Sequence, residues 1–447
     1  MKKIVMLLFS TLLMSGGIYA EDHVMAAART NRSSVQTPKV LQLSLQEAQN
    51  HAVESNRSLK NASLAVQEAY AQRWQTIASM LPQVDGSYAY SNYCGYSATL
   101  SMGGMEVPVS MPNVGALGVT ASMGLNGQGI VGALLNNIAI DMKKIALEQS
   151  ESELRGNVMS SYVSVLALQS ITELLDSTLL NIQGLEQMTQ SAVDAGAAEQ
   201  TSADQIRVRV NTLKNSINQQ KRDIELAFTS LKVLLDVPVE TELVLTDKID
   251  GVLSADKVLS LLGENFIVEN NLNYQLLSKN VELAKRNVHM AGWAYGPTVG
   301  VGYQYSKKDY FGGKAGFNMT PPNALSVQVS MPLWSSGKRA AGVVEKKIAL
   351  EEARNTFAET ANNLGIQNEQ LRYNLQNGYE TYMNEKDNMA VTQRVFESTT
   401  NKFNQGAASN LDLVNASNDL ITAQSSYVQA VLTLVNAQVE LEKFLNL

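Results

Sequence analysis

The chain has 447 residues, a formal net charge of −7, one cysteine and three histidines. An acidic chain without a basic stripe is a poor nucleic-acid binder, so no nucleic-acid partner is expected. The lone Cys94 excludes an intrachain disulfide and a cysteine-based metal site. The histidines (His23, His51 and His289) are far apart and form no metal-binding pair. We therefore expect no catalytic residue, no metal site and no cofactor.

Residues 1–20 have the pattern of a secretory signal peptide. Lys2 and Lys3 precede an apolar run that is too short to cross a bilayer, which takes roughly 20 residues, and small residues lead to Ala20. Cleavage is predicted after Ala20, and the polar segment 21–42 is predicted to be a flexible leader. No later stretch is typical of a membrane-spanning helix.

The mature chain contains one unit twice. Residues 54–91 and 269–306 match without a gap at an offset of 215 positions, and in each copy a helical run meets a proline and then an alternating strand. The shared positions are Glu54/Glu269, Asn56/Asn271, Ser63/Ser278, Val66/Val281, Ala69/Ala284, Pro82/Pro297, Val84/Val299, Tyr88/Tyr303, Tyr90/Tyr305 and Ser91/Ser306. We predict repeat 1 over 43–235, repeat 2 over 265–447, and a connector over 236–264 that lies outside the helical bundle.

Each repeat is predicted to hold one β-hairpin, over about 83–126 and about 298–334, with tips near 92–113 and 307–322. Apolar residues alternate with small or polar ones, as in a bilayer-spanning strand of roughly 9–11 residues. Soluble sandwich strands also alternate, but four strands are too few for a sandwich. The residues predicted to face lipid are Leu117, Val119, Met123, Leu125, Val299, Val301, Leu325, Val327, Val329, Met331 and Leu333.

Four strands cannot close a membrane barrel. An open sheet edge in lipid leaves backbone groups unpaired at several kcal/mol each, and small barrels begin at about eight strands. The chain is therefore expected to oligomerise, with two copies giving eight strands and three copies giving twelve.

Very long helices follow the hairpins, from about Gly132 to Val193 and from about Lys338 to Asn404. At 1.5 Å per residue each would span roughly 90–100 Å. Glycine-containing turns at 194–199 and 404–409 lead into return helices with heptad seams, from about Gln200 to Leu235 and from about Asn410 onwards. Periodicity alone is equally compatible with an ordinary antiparallel coiled coil.

This order of elements resembles the TolC-like outer-membrane efflux proteins (OEP). Two copies of A-x₁₂-P-x-V-x₃-Y-x-Y-S, at Ala69–Ser91 and Ala284–Ser306, and the segment Ser330–Trp334 carry the resemblance. It implies a mainly α-helical homotrimer with a 12-stranded β-barrel in the outer membrane of a Gram-negative bacterium and an α-helical tunnel in the periplasm. It also implies a passive, gated export duct, engaged by a periplasmic adaptor (membrane fusion protein) and an inner-membrane pump.

The resemblance further implies roles for residues at the hairpin turns. Adaptor docking is expected at Gly196, Ala197, Gly406 and Ala407, and a periplasmic gate at Asp412, Asn415, Ser202, Asp204 and Phe403. Several of these depart from the family pattern: Asn415 and Ser202 stand where relatives carry aspartate, and Phe403 stands where they carry tyrosine. Asp412, repeated three times, would make a cation-favouring constriction. It could equally be a solvated carboxylate in the first turn of a helix.

A second function remains open from the sequence. A periplasmic coiled-coil scaffold or adaptor without a pore would also contain long helices with apolar seams. Such a protein would not need four strands of membrane-spanning length, which is why the channel is preferred.

Overall fold

The computed structural model describes residues 40–110, 112–311 and 321–446. The predicted signal peptide, leader residues 21–39 and part of the second hairpin tip lie outside this range. The first half contains β1 (Leu41–Leu43), α1 (Leu45–Ser55), α2 (Arg57–Ala78), β2 (Gln83–Ser91), β3 (Ser97–Met102), β4 (Met105–Ser110), β5 (Asn113–Asn126), α3 (Gly127–Asp194) and α4 (Gln200–Leu234). The second half contains β6 (Leu243–Leu245), α5 (Ile249–Val252), α6 (Ala255–Gly263), α7 (Leu272–Gly292), β7 (Thr298–Phe311), β8 (Asn323–Ser330), α8 (Lys338–Asn404) and α9 (Asn410–Leu445).

The helical run expected before Pro82 is divided in two. Asn56 leaves the helical conformation, and its side-chain oxygen accepts hydrogen bonds from the N–H groups of Ser58 and Leu59. This side chain caps the start of α2, so α1 and α2 are separate helices. Leu41–Leu43, at the predicted end of the leader, forms a strand that pairs in parallel with β6.

The two longest helices, α3 and α8, have 68 and 67 residues. They are therefore roughly 100 Å long. Each packs against its return helix, α4 or α9, and α2 and α7 cover the ends nearest the sheet. The fold class predicted from the sequence, long helices with a small β part, is confirmed.

Contrary to the sequence expectation, α3 includes a stretch that is long and apolar enough to cross a membrane, by length and composition alone. Within the folded chain, 56% of that stretch is buried. Its apolar character follows from its central position, because α3 packs against α1, α2, α4, α7 and α9. A buried core helix passes the same composition test as a membrane span.

The halves of the two helical hairpins nearest their turns share one apolar core. It joins residues from α3, α4, α8 and α9: Ile171, Leu175, Ile182, Leu185, Ile206, Val210, Leu213, Ile217, Phe396, Leu413, Ala416 and Leu420. Extensive packing joins α3 to α4, α3 to α9 and α9 to α8. The four helices therefore lie side by side in the order α4, α3, α9, α8, with α4 and α8 on the flanks.

The connector packs against the middle of the bundle more closely than the sequence suggested. Leu243, Val252, Val258 and Leu261 belong to the same apolar core as α3 and α9. The guanidinium group of Arg372 on α8 donates hydrogen bonds to two carbonyl oxygens at the end of α6. The connector is thus attached to the bundle through both apolar packing and hydrogen bonds.

The four main strands form one antiparallel sheet in the order β2-β5-β7-β8. A two-stranded hairpin that the sequence reading missed, β3–β4, occupies the first tip. The second hairpin is predicted to extend to about 334, but its last strand, β8, ends at Ser330, so Met331 and Leu333 follow β8 rather than belonging to it. Pro332 explains this end, because proline has no N–H to donate to a ladder.

Candidate functional site: an amphipathic sheet and two hairpin tips

The register of the sheet places its apolar residues on one face. Residues directly opposite each other in an antiparallel pair share a face. Val301 lies opposite both Met123 and Val327, and Val299 lies opposite both Leu125 and Val329. In β5, β7 and β8 the residues predicted to face lipid are therefore on a common surface, and Leu325, Val327 and Val329 are each about two-thirds exposed or more. That this surface contacts lipid remains a prediction.

The opposite face of the sheet is built from small and polar residues. One row across it contains Ser122, Gly302 and Ser326, and the hydroxyl of Ser326 donates a hydrogen bond to the Gly302 carbonyl oxygen. A Cβ added to Gly118 would lie 2.7 Å from the Ser87 hydroxyl oxygen, closer than real side chains approach. A side chain at Gly118 would therefore require the Ser87 hydroxyl to move, so this face is closely packed at that position.

Both edges of the sheet are open within one chain. Among the described residues, β2 pairs only with β5, and β8 pairs only with β7. Each edge therefore presents backbone N–H and C=O groups along one side. In water such groups can hydrogen-bond to solvent, but in lipid they would be unsatisfied.

The two helical hairpins turn at glycines in the left-handed conformation, with φ of +75° at Gly196 and +72° at Gly406. The N–H groups of Gly196 and Ala197 donate to the carbonyl oxygens of Val193 and Ala192 at 2.8 and 2.7 Å. Gly406 and Ala407 repeat this pattern. Both turns are Schellman motifs, in which glycine avoids the Cβ strain of positive φ. The residues predicted to dock an adaptor are therefore also the residues that make the turns.

Asp412 takes part in a reciprocal cap at the start of α9. Its carboxylate accepts hydrogen bonds from the Ser409 N–H at 2.9 Å and the Ser409 hydroxyl at 2.7 Å, and the Ser409 oxygen accepts the Asp412 N–H. The hydroxyl bond and then the backbone bond hold the pKa of Asp412 below its ordinary value, so it stays charged at neutral pH. The corresponding start of α4, at Glu199, has no side-chain cap.

The other predicted gate residues have different surroundings. Asn415 is exposed one turn after Asp412. Asp204 is exposed on α4 and accepts a hydrogen bond from Gln200, whereas Ser202 is half-buried. Phe403 packs against the apolar core that the two hairpins share near their turns. The four residues are thus divided between exposed and packed positions near the turns, and their role in a gate remains a prediction.

The two hairpin tips are not level with each other. The Ser160 hydroxyl on α3 lies 2.8 Å from the Asn436 side-chain oxygen on α9, which fixes one shared height. Ser160 precedes Gly196 by 36 residues, whereas Asn436 follows Gly406 by 30 residues. The first hairpin therefore extends beyond the second by six residues, or roughly 9 Å.

A groove of about 410 Å³ lies between α4 and the start of α9, near the tips. Its walls include Val208 and Arg209 on α4 and Leu411 and Val414 on α9. The Nε and Nη2 atoms of Arg209 are buried and have no hydrogen-bond partner within the described chain. Burial lowers the pKa of Arg209, because a charged guanidinium is poorly solvated there. Sequence reading missed this residue, since nothing in its spacing distinguishes it from a surface arginine.

Replacing Arg209 with leucine is expected to stabilise the isolated protein. Arg209 is partly buried, and burying Nε and Nη2 without a partner costs free energy, so removing the guanidinium should gain on the order of 1 kcal/mol, or roughly 2 °C in unfolding temperature. Arg207→Leu is the control, because Arg207 is half-exposed and pairs with Glu186 at 3.2 Å. Circular dichroism melting checks both variants, and a destabilised Arg209→Leu would show that its guanidinium is satisfied in the free protein.

The described residues contain no group of three side chains that could hold a metal ion. Cys94 is exposed in the first sheet tip, and His51 lies next to Ser55 on α1. Within the described ranges, the candidate functional features are therefore the amphipathic sheet, the hairpin tips and the groove beside those tips.

A family model described as outer membrane efflux protein matches residues 48–236 and 267–447. The chain belongs to the outer membrane efflux protein family. The stretch between the two matched segments contains β6, α5 and α6, the elements of the connector. Membership supports an outer-membrane location and a role in efflux transport.

Individual relatives of this outer membrane efflux protein are distant in sequence. It is 22% identical over 289 residues to the outer membrane efflux protein BepC of Brucella suis, covering 64% of this chain and 61% of BepC. The fold matches the channel protein CusC with a TM-score of 0.73 at 16% identity, covering 93% of this chain and 95% of CusC. It also matches VceC of Vibrio cholerae with a TM-score of 0.70 at 13% identity, covering 90% and 96%. At these identities the matches show a shared fold.

Proposed function

We propose that this family member is the outer-membrane channel of a tripartite efflux or secretion system. Three copies would form one passive duct, with the sheets closing into a 12-stranded barrel and the helices forming a tunnel across the periplasm. A periplasmic adaptor and an inner-membrane pump would engage the tunnel end. The chain itself would catalyse no reaction, and transport would be driven by the pump.

The observation that carries this proposal is an amphipathic sheet with two open edges. Its apolar face is exposed on Leu325, Val327 and Val329, and its edge strands β2 and β8 lack a second neighbour among the described strands. In lipid such a sheet requires further copies to pair its edges, because each unpaired backbone group costs several kcal/mol. A pore-free scaffold would have no use for this surface.

The groove beside Arg209 supports engagement by a partner at the tunnel end. It combines exposed apolar residues (Val208 and Leu411) with two buried guanidinium nitrogens that have no partner in the described chain. A docking helix that supplies a carboxylate beside an aliphatic side chain would satisfy both features. The glycine turns lie at the same end of the bundle.

Asp412 is proposed to form a cation-favouring ring at the tunnel end. Asp412→Ala should lower cation over anion selectivity in a planar bilayer, because three carboxylates are removed from the constriction. Ser409→Ala is the matched control: it breaks the same reciprocal cap, at about 1 kcal/mol, but keeps the carboxylate. Unchanged selectivity in Asp412→Ala would leave the carboxylate with a capping role alone.

Bilayer recordings and membrane extraction together test the proposed function. The purified protein should form ion-conducting pores, and it should leave isolated outer membranes only when detergent is added. Release by high salt, without pores in the bilayer, would instead favour the periplasmic scaffold or adaptor.

A further inference from the structure

The flanking helices α4 and α8 each carry an apolar stripe that no other part of the described chain covers. On α4, Leu226 and Val233 are 66% exposed, and on α8, Ile366 and Tyr373 are 69% exposed. These residues lie opposite the buried seams of their own helices, which include Leu213 and Leu231 on α4 and Leu375 and Tyr382 on α8. Each flank therefore has a second surface of the kind that packs against a helix.

One basic residue, Arg222, interrupts the stripe on α4, and two acidic residues, Glu380 and Asp387, interrupt the stripe on α8. Arg222 precedes Leu226 by one helical turn and Val233 by eleven residues, so all three share a face of α4. Asp387 follows Tyr373 by two heptads and precedes Val391 by one turn, so these share a face of α8. Arg222 and Asp387 are both exposed. The two flanks are thus complementary in charge as well as apolar.

The vertical offset of the hairpins brings the two charges to the same height. Arg222 follows Gly196 by 26 residues and Asp387 precedes Gly406 by 19, a difference of seven residues. The offset inferred from the Ser160–Asn436 contact is six residues, so the two side chains differ in height by roughly 1.5 Å. By the same comparison, Val233 and Tyr373 differ in height by two residues, roughly 3 Å.

We propose that α4 of one protomer packs against α8 of the next, with Arg222 paired to Asp387 and Val233 against Tyr373 across the boundary. This inference rests on the proposed homotrimer and specifies which helices close the tunnel wall and in which register. Apolar stripes alone could slide along each other by a heptad. The height comparison favours Asp387 over the other acidic residue of the stripe, Glu380, which lies one heptad, or roughly 10 Å, from Asp387. Arg222 is oriented by its neighbour Gln219, whose side-chain oxygen accepts a hydrogen bond from Nη2 at 2.8 Å.

Disulfide crosslinking tests the register. In a Cys94→Ser background, Val233→Cys combined with Tyr373→Cys should give covalent dimers and trimers on a denaturing gel after mild oxidation. Ile366 lies one heptad, or roughly 10 Å, from Tyr373 along α8. Val233→Cys combined with Ile366→Cys should therefore crosslink at least five-fold less. Each single-cysteine variant should remain monomeric on the gel. Equal crosslinking of the two pairs, or a dimer from Val233→Cys alone, would overturn the proposed seam.

Charge reversal tests the ion pair within the seam. Arg222→Asp should lower the Val233–Tyr373 crosslinking yield several-fold, and adding Asp387→Arg should restore it. If the double reversal stays low, the charges do not meet.

Imaging of the Cys94→Ser parent tests the proposed homotrimeric channel separately from the proposed seam. If the parent forms threefold particles but the Val233→Cys, Tyr373→Cys variant does not crosslink, only the proposed seam is overturned. The absence of threefold particles would overturn the proposed channel together with the seam.

Discussion

Replacing Val327 with lysine is expected to prevent the protein from accumulating in the outer membrane, whereas Gln328→Lys is expected to be tolerated. Val327 lies opposite Val301 on the apolar face and is 67% exposed, while Gln328 lies opposite Gly300 on the other face. A lysine near the bilayer midplane costs roughly 2–4 kcal/mol on the lipid side of a membrane barrel. Three copies would multiply that cost within one assembly.

The two variants form a matched pair because Val327 and Gln328 are adjacent on the same strand and lie on opposite faces of the sheet. Both variants place a lysine on the same strand and add the same charge. The greater loss of β propensity in Val327→Lys is at most about 1 kcal/mol, so a larger difference between the variants reflects the face. The amount of protein in isolated outer membranes, measured by quantitative blotting, is the readout. Loss of both variants would indicate that β8 tolerates no charge, and survival of both would contradict a lipid-facing surface.

Tyr162→Ala is expected to lower the free energy of unfolding by roughly 3–5 kcal/mol per chain, the range for truncating a buried aromatic residue. Tyr162 on α3 is fully buried, and its hydroxyl lies 3.0 Å from the Leu43 carbonyl oxygen and 3.1 Å from the Asp247 carboxylate. This residue therefore ties β1 and the connector to the centre of the bundle. Tyr162→Phe keeps the ring and should cost about 1–3 kcal/mol.

The same residue predicts a dependence on alkaline pH. Burial raises the pKa of Tyr162 to about 12, because the phenolate would be poorly solvated. The folded chain therefore favours the neutral phenol, and this stabilisation is complete below about pH 10 and lost as the pH rises through about 12. The difference in unfolding temperature between the natural protein and Tyr162→Phe should shrink over that range.

Melting curves of the detergent-solubilised protein check both Tyr162 variants. Tyr70→Phe is the control, since Tyr70 is 45% exposed on α2. A Tyr162→Ala protein as stable as the control would show that the connector does not depend on this contact.

Sequence patterns predicted much of the architecture because each pattern has a local cause. Proline at positions 82 and 297 stops a helix, glycine at 196 and 406 permits the left-handed turn, and period-two alternation defines a strand face. Each of these signals acts over a few residues. The structure places α8 and both hairpin turns where these patterns predict them.

Two local features were missed although the sequence contained a sign of them. Gly103 and Gly104 form the turn between β3 and β4 with positive φ at both positions, and a Gly-Gly pair between strands is a known hairpin signal. Asn56 is a favoured helix-capping residue, which was a sign of the break between α1 and α2.

Other features depend on residues that are distant in sequence. Tyr162 contacts Asp247 across 85 residues, and the desolvated side chain of Arg209 is recognised only when α9 is placed beside α4. The offset between the two tips likewise requires a contact between α3 and α9. No periodicity in the chain encodes these distances, because they arise from how the long helices pack.

Single-particle imaging of detergent-extracted protein from isolated outer membranes tests the proposed trimeric duct most directly. We predict threefold particles with a short barrel joined to a hollow stem roughly 100 Å long, the length of α3 and α8. Solid rods, or particles without threefold symmetry, would contradict the channel and favour a periplasmic scaffold.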